Sequence, residues 1–343
     1  MAGADRISSA RISVSRKSAP QSMILSRRGL GLAALGAASQ PARSPRAMSH
    51  KQIDAHVHVW APVEESARFP YAGALLGAAS SGPEPPLPGY AELLLRDMEA
   101  AGVDGALIVQ PGNHLYDHRY VQSVITAHPG KFVGCLLADP TPGGGGAGAI
   151  RELAATGLFR AVRFNPYLWP EGERMTNKVG REMYATAGEL GLPVAHMPFK
   201  GLLPLIGDIK TLISDHPQTT VILDHFGFAK CGDLESEEWR ELLLLAKHPQ
   251  VYVKASAFFR VSSEPYPYAD AAAALRRLID AFGARRVMWG TDWPWVTEQC
   301  GYAKAWGILD AAAAAGGAEA VSAEERAWLV GGTAAALWPG AWQ

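Results

Sequence analysis

The sequence predicts an α/β fold, a (β/α)8 barrel, on three observations. Short apolar runs alternate with amphipathic helical stretches along residues 52–340, the pattern of parallel strands joined by crossover helices. Eight such runs can be read, the number of strands that closes a barrel in a domain of this length. After the first run stands Asp54-Ala55-His56-Val57-His58-Val59-Trp60, where an open doubly wound sheet would carry a Gly-rich phosphate loop.

The strands are read at 52–60, 103–110, 131–138, 160–165, 192–197, 219–225, 250–257 and 286–292. Val103–Gln110 (VDGALIVQ) and Thr219–His225 (TTVILDH) are continuous apolar runs, as expected of strands covered on both faces. Helices are expected at Tyr90–Ala101, Lys178–Leu190 and Glu237–His248; in the first, Leu93, Leu94 and Met98 recur at helical spacing. Gly191-Leu192-Pro193 and His248-Pro249 end two of them. Residues 61–88, with GPEPPLPG in their second half, are long for a strand–helix loop and predict a lid over the barrel mouth. Gly143–Gly146 lacks the spacing of a nucleotide loop and predicts a flexible connection. The Ala-rich stretch from Ala303 is read as helical, its Trp338–Trp342 end docking on the barrel wall.

Residues 1–50 read as an unstructured targeting segment, leaving 51–343 as the barrel domain. The segment carries eight Lys or Arg against a single acid, Asp5, and is rich in Ser, the composition of a transit peptide. Within it, Ser26-Arg27-Arg28-Gly29-Leu30 precedes a small apolar run, Gly31–Ala38, a twin-arginine pattern. Together they predict a chloroplast address, extending to the thylakoid lumen, with bacterial export by the twin-arginine route as the alternative. The mature chain is expected to start between residues 38 and 52.

The chain is 48% hydrophobic and 19% charged, with a net charge of −1, which suits a well-buried α/β protein. Beyond the segment the balance is mildly acidic without a basic stripe, which excludes nucleic acid as partner. No run approaches the roughly 20 apolar residues of a membrane span. Cys135, Cys231 and Cys300 are too few and too far apart for a disulfide framework or a cysteine zinc site. The partner expected is a small-molecule substrate, with homo-oligomers left open.

Side chains alternate along a strand, so Asp54, His56, His58 and Trp60 are expected on one face and Ile53, Ala55, Val57 and Val59 on the other. Same-face neighbours lie roughly 6.6–6.8 Å apart, and buried imidazoles need partners for their nitrogens. In a barrel, reactive groups gather where strands run into their C-terminal loops. The candidates there are His56 and His58 on the first strand, Arg163 on the fourth and His196 on the fifth. The sixth offers Asp224-His225, the seventh Lys254 with Arg260 beyond it, and the eighth Asp292. Asp224 is expected on the opposite face from His225, serving the helix layer, although Arg163 could pair with it inside the barrel. Asn113, Tyr167 and Lys200 are read as substrate contacts. His114, His118, His128, His216 and His248 are expected at the surface or at helix ends.

Asp-x-His-x-His-x-Trp at 54–60, Leu-Asp-His-Phe-Gly at 223–227 and Trp-Gly-Thr-Asp-Trp-Pro at 289–294 together resemble the amidohydrolase-related family. The resemblance covers about residues 52–340 and is nearest to the branch of pyrone-dicarboxylate and fuconolactone lactonases. It implies a barrel of the metal-dependent hydrolase kind. In metal-using members the residues matching His56, His58, His196 and Asp292 would hold one divalent ion, zinc or manganese, and His225 would orient or deprotonate its water. In metal-free lactonases the residue matching Asp292 acts as general base, while histidines and arginines polarise the carbonyl. Arg163 stands where binuclear members carry a carboxylated lysine, so two metals are not expected. Pro166–Pro170 lacks the second arginine of the dicarboxylate lactonase; Lys200, Lys254 or Arg260 could supply another cation. The expected activity is a lactonase opening a small anionic lactone by Asp292-assisted attack of water. The alternatives are a metal-dependent decarboxylase of the aminocarboxymuconate semialdehyde type and a catalytically silent ligand-binding barrel.

Overall fold

The computed structural model describes residues 51–72, 85–314 and 320–343. The targeting segment and residues 73–84 of the expected lid lie outside the described residues. The strands are β1 (Ile53–Val57), β2 (Gly105–Val109), β3 (Phe132–Leu137), β4 (Phe159–Phe164), β5 (Val194–His196), β6 (Val221–Leu223), β7 (Val251–Ser256) and β8 (Val287–Gly290). Each pairs parallel with the next, in chain order. The ring closes through backbone bonds at the top of β1: the Asp292 N–H donates to the His56 carbonyl (2.9 Å), and the His58 N–H donates to the Trp293 carbonyl (2.7 Å). Helices α1 (Ala91–Ala101), α2 (Arg119–Ala127), α3 (Gly146–Ala155), α4 (Lys178–Glu189), α5 (Leu203–Asp215) and α6 (Glu237–Leu244) fill the first six crossovers. After β7 come a single turn, α7 (Phe258–Val261), and α8 (Ala271–Phe282); after β8 come α9 (Tyr302–Ala314), α10 (Ala323–Ala327) and α11 (Thr333–Leu337). The glycine run is not a loose connection throughout, since Gly146 is already the first residue of α3.

Two apolar layers follow from strand alternation. Val57, Phe164, Val194, Leu223 and Val253 face the helices, in one continuous core. Ile53, Ala55, Val109, Ala161, Ala195 and Met288 fill the lower barrel, and Trp338 and Trp342 pack beneath them. The chain end therefore plugs the floor rather than docking on the wall. The Trp338 indole N–H donates to the Arg160 carbonyl at 2.7 Å, as a buried indole requires.

The simple alternation expected along β1 fails at one point. Asp54 pairs with Ala106, and Val57 already pairs with Ile108, so Ala55 and His56 share one opposing residue as in a β-bulge. The bulge reverses the faces. Ile53 and Ala55 point inward, Val57 and Val59 outward, and His56 and His58 turn into the barrel mouth. Asp54 is thus separated from the histidines. Its carboxylate accepts from the Thr291 N–H (3.0 Å) and hydroxyl (2.6 Å) and from the His56 N–H (3.0 Å).

His114 and His118 are both buried and not at the surface, although His118 does stand at a helix end, as the N-cap of α2. Each accepts a backbone N–H at Nε2, from Ala61 (3.1 Å) and Leu137 (3.0 Å), and donates from Nδ1 to the carbonyls of Pro70 (3.0 Å) and Tyr116 (2.8 Å). Both rings must be neutral to do so, and burial lowers His118 to about 4. Since the unfolded chain binds this proton near pH 6.5, stability is intact above that value and falls as the pH drops toward the folded pKa. His118 is expected to cost about 1 kcal/mol for each pH unit below 6.5. Melting curves from pH 7 to 5 should show the loss, and His118→Gln should flatten that slope. An unchanged slope in the variant would show that His118 does not carry it.

Candidate active site

The closing seam builds the site. Because the backbones of His56 and Asp292 are hydrogen-bonded across it, their side chains emerge side by side at the top of the barrel. Gly290 permits this approach: a Cβ there would lie 3.0 Å from the His56 Cβ and 3.2 Å from the Ser256 Cβ. Thr291, held by Asp54, then sets up Asp292 in the left-handed region (φ 64). Such a conformation is costly for a non-glycine residue and persists where the surroundings fix it.

Asp292 has two differently committed oxygens. Oδ2 accepts from the Arg260 Nε at 2.6 Å, while Oδ1 lies 3.3 Å from the His58 Nε2 and 3.8 Å from the His56 Nε2. Burial alone would raise this carboxyl, but Arg260, His225, His58 and His56 outweigh it and hold it well below the usual range. Asp292 is therefore ionised, with one oxygen turned to the cavity.

Asp224 sits inside the mouth, not in the helix layer. The short strand β6 ends at Leu223, and His225 (φ 51), Phe226 (φ 55) and Phe228 (φ 60) turn through left-handed conformations, so two adjacent residues both reach the interior. Asp224 Oδ2 accepts from the Arg163 Nη2 (3.2 Å), and Oδ1 lies 3.0 Å from the Lys254 Nζ and 3.3 Å from the His56 Nδ1. Asp224 and Lys254 are both fully buried. Burial would raise the Asp224 carboxyl, but Lys254, His56 and Arg163 drive it well below the usual range. Burial, then Lys254 and His225, keeps His56 neutral by lowering it well below its ordinary value. The His225 ring lies 4.4 Å from that of His56, tilted by 44°, with Nδ1 2.8 Å from the Ser256 hydroxyl, and burial lowers it to about 3.

Of these groups, His58, Arg163, His225, Arg260 and Asp292 line a cavity of about 400 Å³, within the range of small-molecule sites. Asn113, Arg163, Tyr167, Lys200, Arg260, His58, His225 and Asp292 all contribute to its wall, together with Trp60, Phe199, Phe228 and Trp295. The Asn113 carbonyl accepts from the Ala72 N–H (2.7 Å), which ties the start of the long insert to this rim. The Tyr167 hydroxyl accepts from the Lys200 N–H (2.6 Å), and the Lys200 ammonium lies 5.0 Å above the Tyr167 ring.

His196 stands apart from the other sequence candidates. On the three-residue strand β5, Ala195 takes the inward position, so His196 faces outward. Its ring lies 6.0 Å from that of Phe164 and 5.9 Å from that of Tyr184 on α4, and neither nitrogen has a hydrogen-bond partner. The expectation that it joins a metal set is corrected on that ground. Instead, donor atoms of His56, His225 and Asp292 lie within 4.8 Å of one another, with His58 beside Asp292. This set fits a single divalent ion in kind and spacing. Ser256 was not among the sequence candidates, and Asp224 inside the mouth matches the alternative in which Arg163 pairs with it; adjacent ionisable residues ahead of Phe226-Gly227 are the signal for a turn that brings both Asp224 and His225 inside.

The chain matches the family described as amidohydrolase over residues 53–340. It is 26% identical over 244 residues to a 4-sulfomuconolactone hydrolase of Hydrogenophaga intermedia, covering 70% of this chain and 74% of the relative. With a 2-pyrone-4,6-dicarboxylate hydrolase of Comamonas testosteroni it shares 29% identity over 258 residues, covering 71% and 76%. A crystal structure from Pseudomonas putida, titled as a 2-pyrone-4,6-dicarboxylic acid hydrolase, superposes with a TM-score of 0.68 at 24% identity, covering 85% of this chain and 99% of that one.

Proposed function

The chain belongs to the amidohydrolase family, and from that premise we propose that it is a lactonase that opens a small, planar, anionic lactone by adding water to the ring carbonyl. The relatives named above are lactone hydrolases, which favours this reading over a decarboxylase or a silent barrel. The observation that carries it is Asp292: an ionised carboxylate with one oxygen anchored by Arg260 and the other open to the cavity among imidazoles.

In the proposed reaction a water held between His225 and Asp292 gives a proton to Asp292 Oδ1 as its oxygen bonds to the carbonyl carbon. The oxyanion that forms meets N–H donors of the mouth, while Arg163 in the cavity wall is kept for the substrate anion. Collapse re-forms the carbonyl and breaks the ring C–O bond, and the departing oxygen takes the proton back from Asp292. The products are a hydroxyl and a carboxylic acid, which loses the second proton of the water to solvent and leaves as a carboxylate. A zinc or manganese ion bound by His56, His58, His225 and Asp292 would supply Lewis-acid polarisation and a more acidic water.

Wall chemistry supports the substrate class. Arg163 and Lys200 offer positive charge at two depths of the cavity, and five aromatic rings (Trp60, Tyr167, Phe199, Phe228 and Trp295) offer flat apolar surface. Asn113 is the one amide side chain among the described residues of that wall. The acid-poor, Arg- and Ser-rich first 50 residues support the further reading that the mature enzyme works in the chloroplast, or beyond twin-arginine export if bacterial.

A panel of lactones tests the proposal, assayed by ring-opening absorbance with chelator, zinc or manganese. Planar lactones bearing a carboxylate or sulfonate are expected to exceed uncharged and sugar lactones by about 10²-fold in kcat/KM, the scale of one desolvated charge contact. Hydrolysis of none of them under any metal condition would end the lactonase reading.

A further inference from the structure

A second cavity, of about 340 Å³, opens beside the first at the same end of the barrel. Phe199, Phe228, Arg260 and Trp295 line both and form the divide between them. They stand on the loops that follow β5, β6, β7 and β8, the face of a barrel that carries its chemistry. The divide is held in place. Arg260 Nε is tied to Asp292 at 2.6 Å, and its guanidinium carbon lies 4.9 Å from the Phe259 ring and 5.9 Å from those of Phe199 and Trp295. The Phe199 ring packs edge-on against Phe228 at 5.4 Å, yet Phe199 is 51% exposed. A ligand ring covering an aromatic face that is already ordered loses little side-chain entropy.

The polar groups beyond the divide are Lys230, Glu298 and Gln299: one cation, one anion and one amide. The Arg260 charge is met by Asp292, so this wall offers a ligand no net charge. The Lys230 ammonium donates to the Arg260 carbonyl at 2.6 Å, which fixes it and leaves two N–H bonds to donate. The Glu298 carboxylate accepts, and the Gln299 amide does both. Within the described residues neither of these two side chains has a protein partner. A hydroxyl group both donates and accepts, so a balanced set of donors and acceptors suits hydroxyls. The aromatic rings suit the apolar face of whatever ring carries them.

We propose that this outer cavity is a second substrate subsite, which takes an uncharged, hydroxyl-bearing ring joined to the lactone, a glycosyl or hydroxyphenyl arm. The lactone and its anion occupy the first cavity, and the arm crosses Phe199 and Trp295 beside Arg260. Selection is then divided in space. Arg163 and Lys200 select the anion, whereas Lys230, Glu298 and Gln299 select the arm. Glu298 and Gln299 do not line the first cavity, so the arm acts on binding and not on the chemical step.

The subsite rests on the lactonase reading, whose substrate it extends, but it is tested by binding, so each can fail alone. The probes are a carboxylated methoxycoumarin, which is a planar anionic lactone, and its counterparts with glucosyl, hydroxyphenyl or cyclohexyl in place of the methyl. Fluorescence anisotropy with the full chain, read on mixing and before turnover, gives the affinities. The glucosyl or the hydroxyphenyl compound, or both, should bind about tenfold tighter than the methoxy parent, the scale of one or two net hydrogen bonds. Which of them gains identifies the arm. The cyclohexyl compound should gain no more than about threefold, since it brings no hydroxyl. In the double variant Glu298→Ala, Gln299→Ala, both exposed positions, the gain should shrink to within about twofold while the parent binds as before. Armed compounds no tighter than the parent, an equal gain with cyclohexyl, a gain that persists in the double variant, or no binding of any probe would each overturn the subsite. Hydrolysis of planar lactones with no preference for an arm would leave the lactonase standing without it, and a preference for the arm with no hydrolysis would do the reverse.

Discussion

Asp292→Asn is expected to abolish useful turnover, lowering kcat on any accepted lactone by about 10³-fold, within the usual contribution of a positioned general base. An amide keeps the shape of the side chain but cannot take a proton from water. Its neighbours would change less than its chemistry. Arg260 is one-quarter exposed and keeps the Phe259 and Trp295 rings within 4.9 and 5.9 Å, so the loss of its ion-pair partner should leave the fold intact. KM should move little, because the substrate anion is assigned to Arg163 and Lys200. Steady-state kinetics beside a melting curve make the measurement, and a folded variant with a near-normal rate would remove Asp292 from the role of base. Since its neighbours hold the Asp292 carboxyl well below the usual range, its protonation should not produce an acid limb in the wild-type rate profile above about pH 4.

Arg163→Met should produce the second large effect, and a selective one. The guanidinium is nearly buried, anchored at Nη2 by Asp224 and open to the cavity. Truncating one partner of a desolvated charge contact costs about 2–5 kcal/mol. An anionic lactone should therefore lose about 10²–10³-fold in kcat/KM, mostly through KM. The uncharged lactone with the same ring should lose less than about tenfold, because only the charge contact differs. Asp224 retains Lys254 as its counter-ion, so the buried carboxylate is not stranded and the variant should fold. Equal losses on charged and uncharged rings would show that Arg163 serves the scaffold and not the anion.

Those two residues also mark how far the sequence could be read. Asp292 was legible because Trp-Gly-Thr-Asp-Trp-Pro sits at a strand end, and a strand end in a barrel is where chemistry collects. Arg163 was legible as a cation on the fourth strand, and its pairing with Asp224 stood as an alternative from the start. The reading fails where a bulge, a turn or an outward face replaces the expected strand alternation. Asp54 was grouped with the histidines, and a bulge placed it on Thr291 instead. Asp224 was sent to the helix layer, yet the chain leaves strand geometry one residue earlier. His196 was counted as a ligand because it ends a strand, but Ala195 takes the inward position there.

The sequence by itself determined the barrel, its eight strands and the ends at which ionisable groups stand, because apolar periodicity is a local property that survives without coordinates. Which of those groups share a pocket was decided by the tertiary structure alone. Closure of β8 onto β1 brings Asp292 to His56 across more than two hundred residues, and Lys254 and Asp224 reach the same ring from two further strands. The physical reason is that a face is fixed by local backbone geometry, whereas a proton's position on an imidazole, or a carboxylate's charge in a buried mouth, depends on every neighbour within a few ångströms. Those neighbours come from distant parts of the chain.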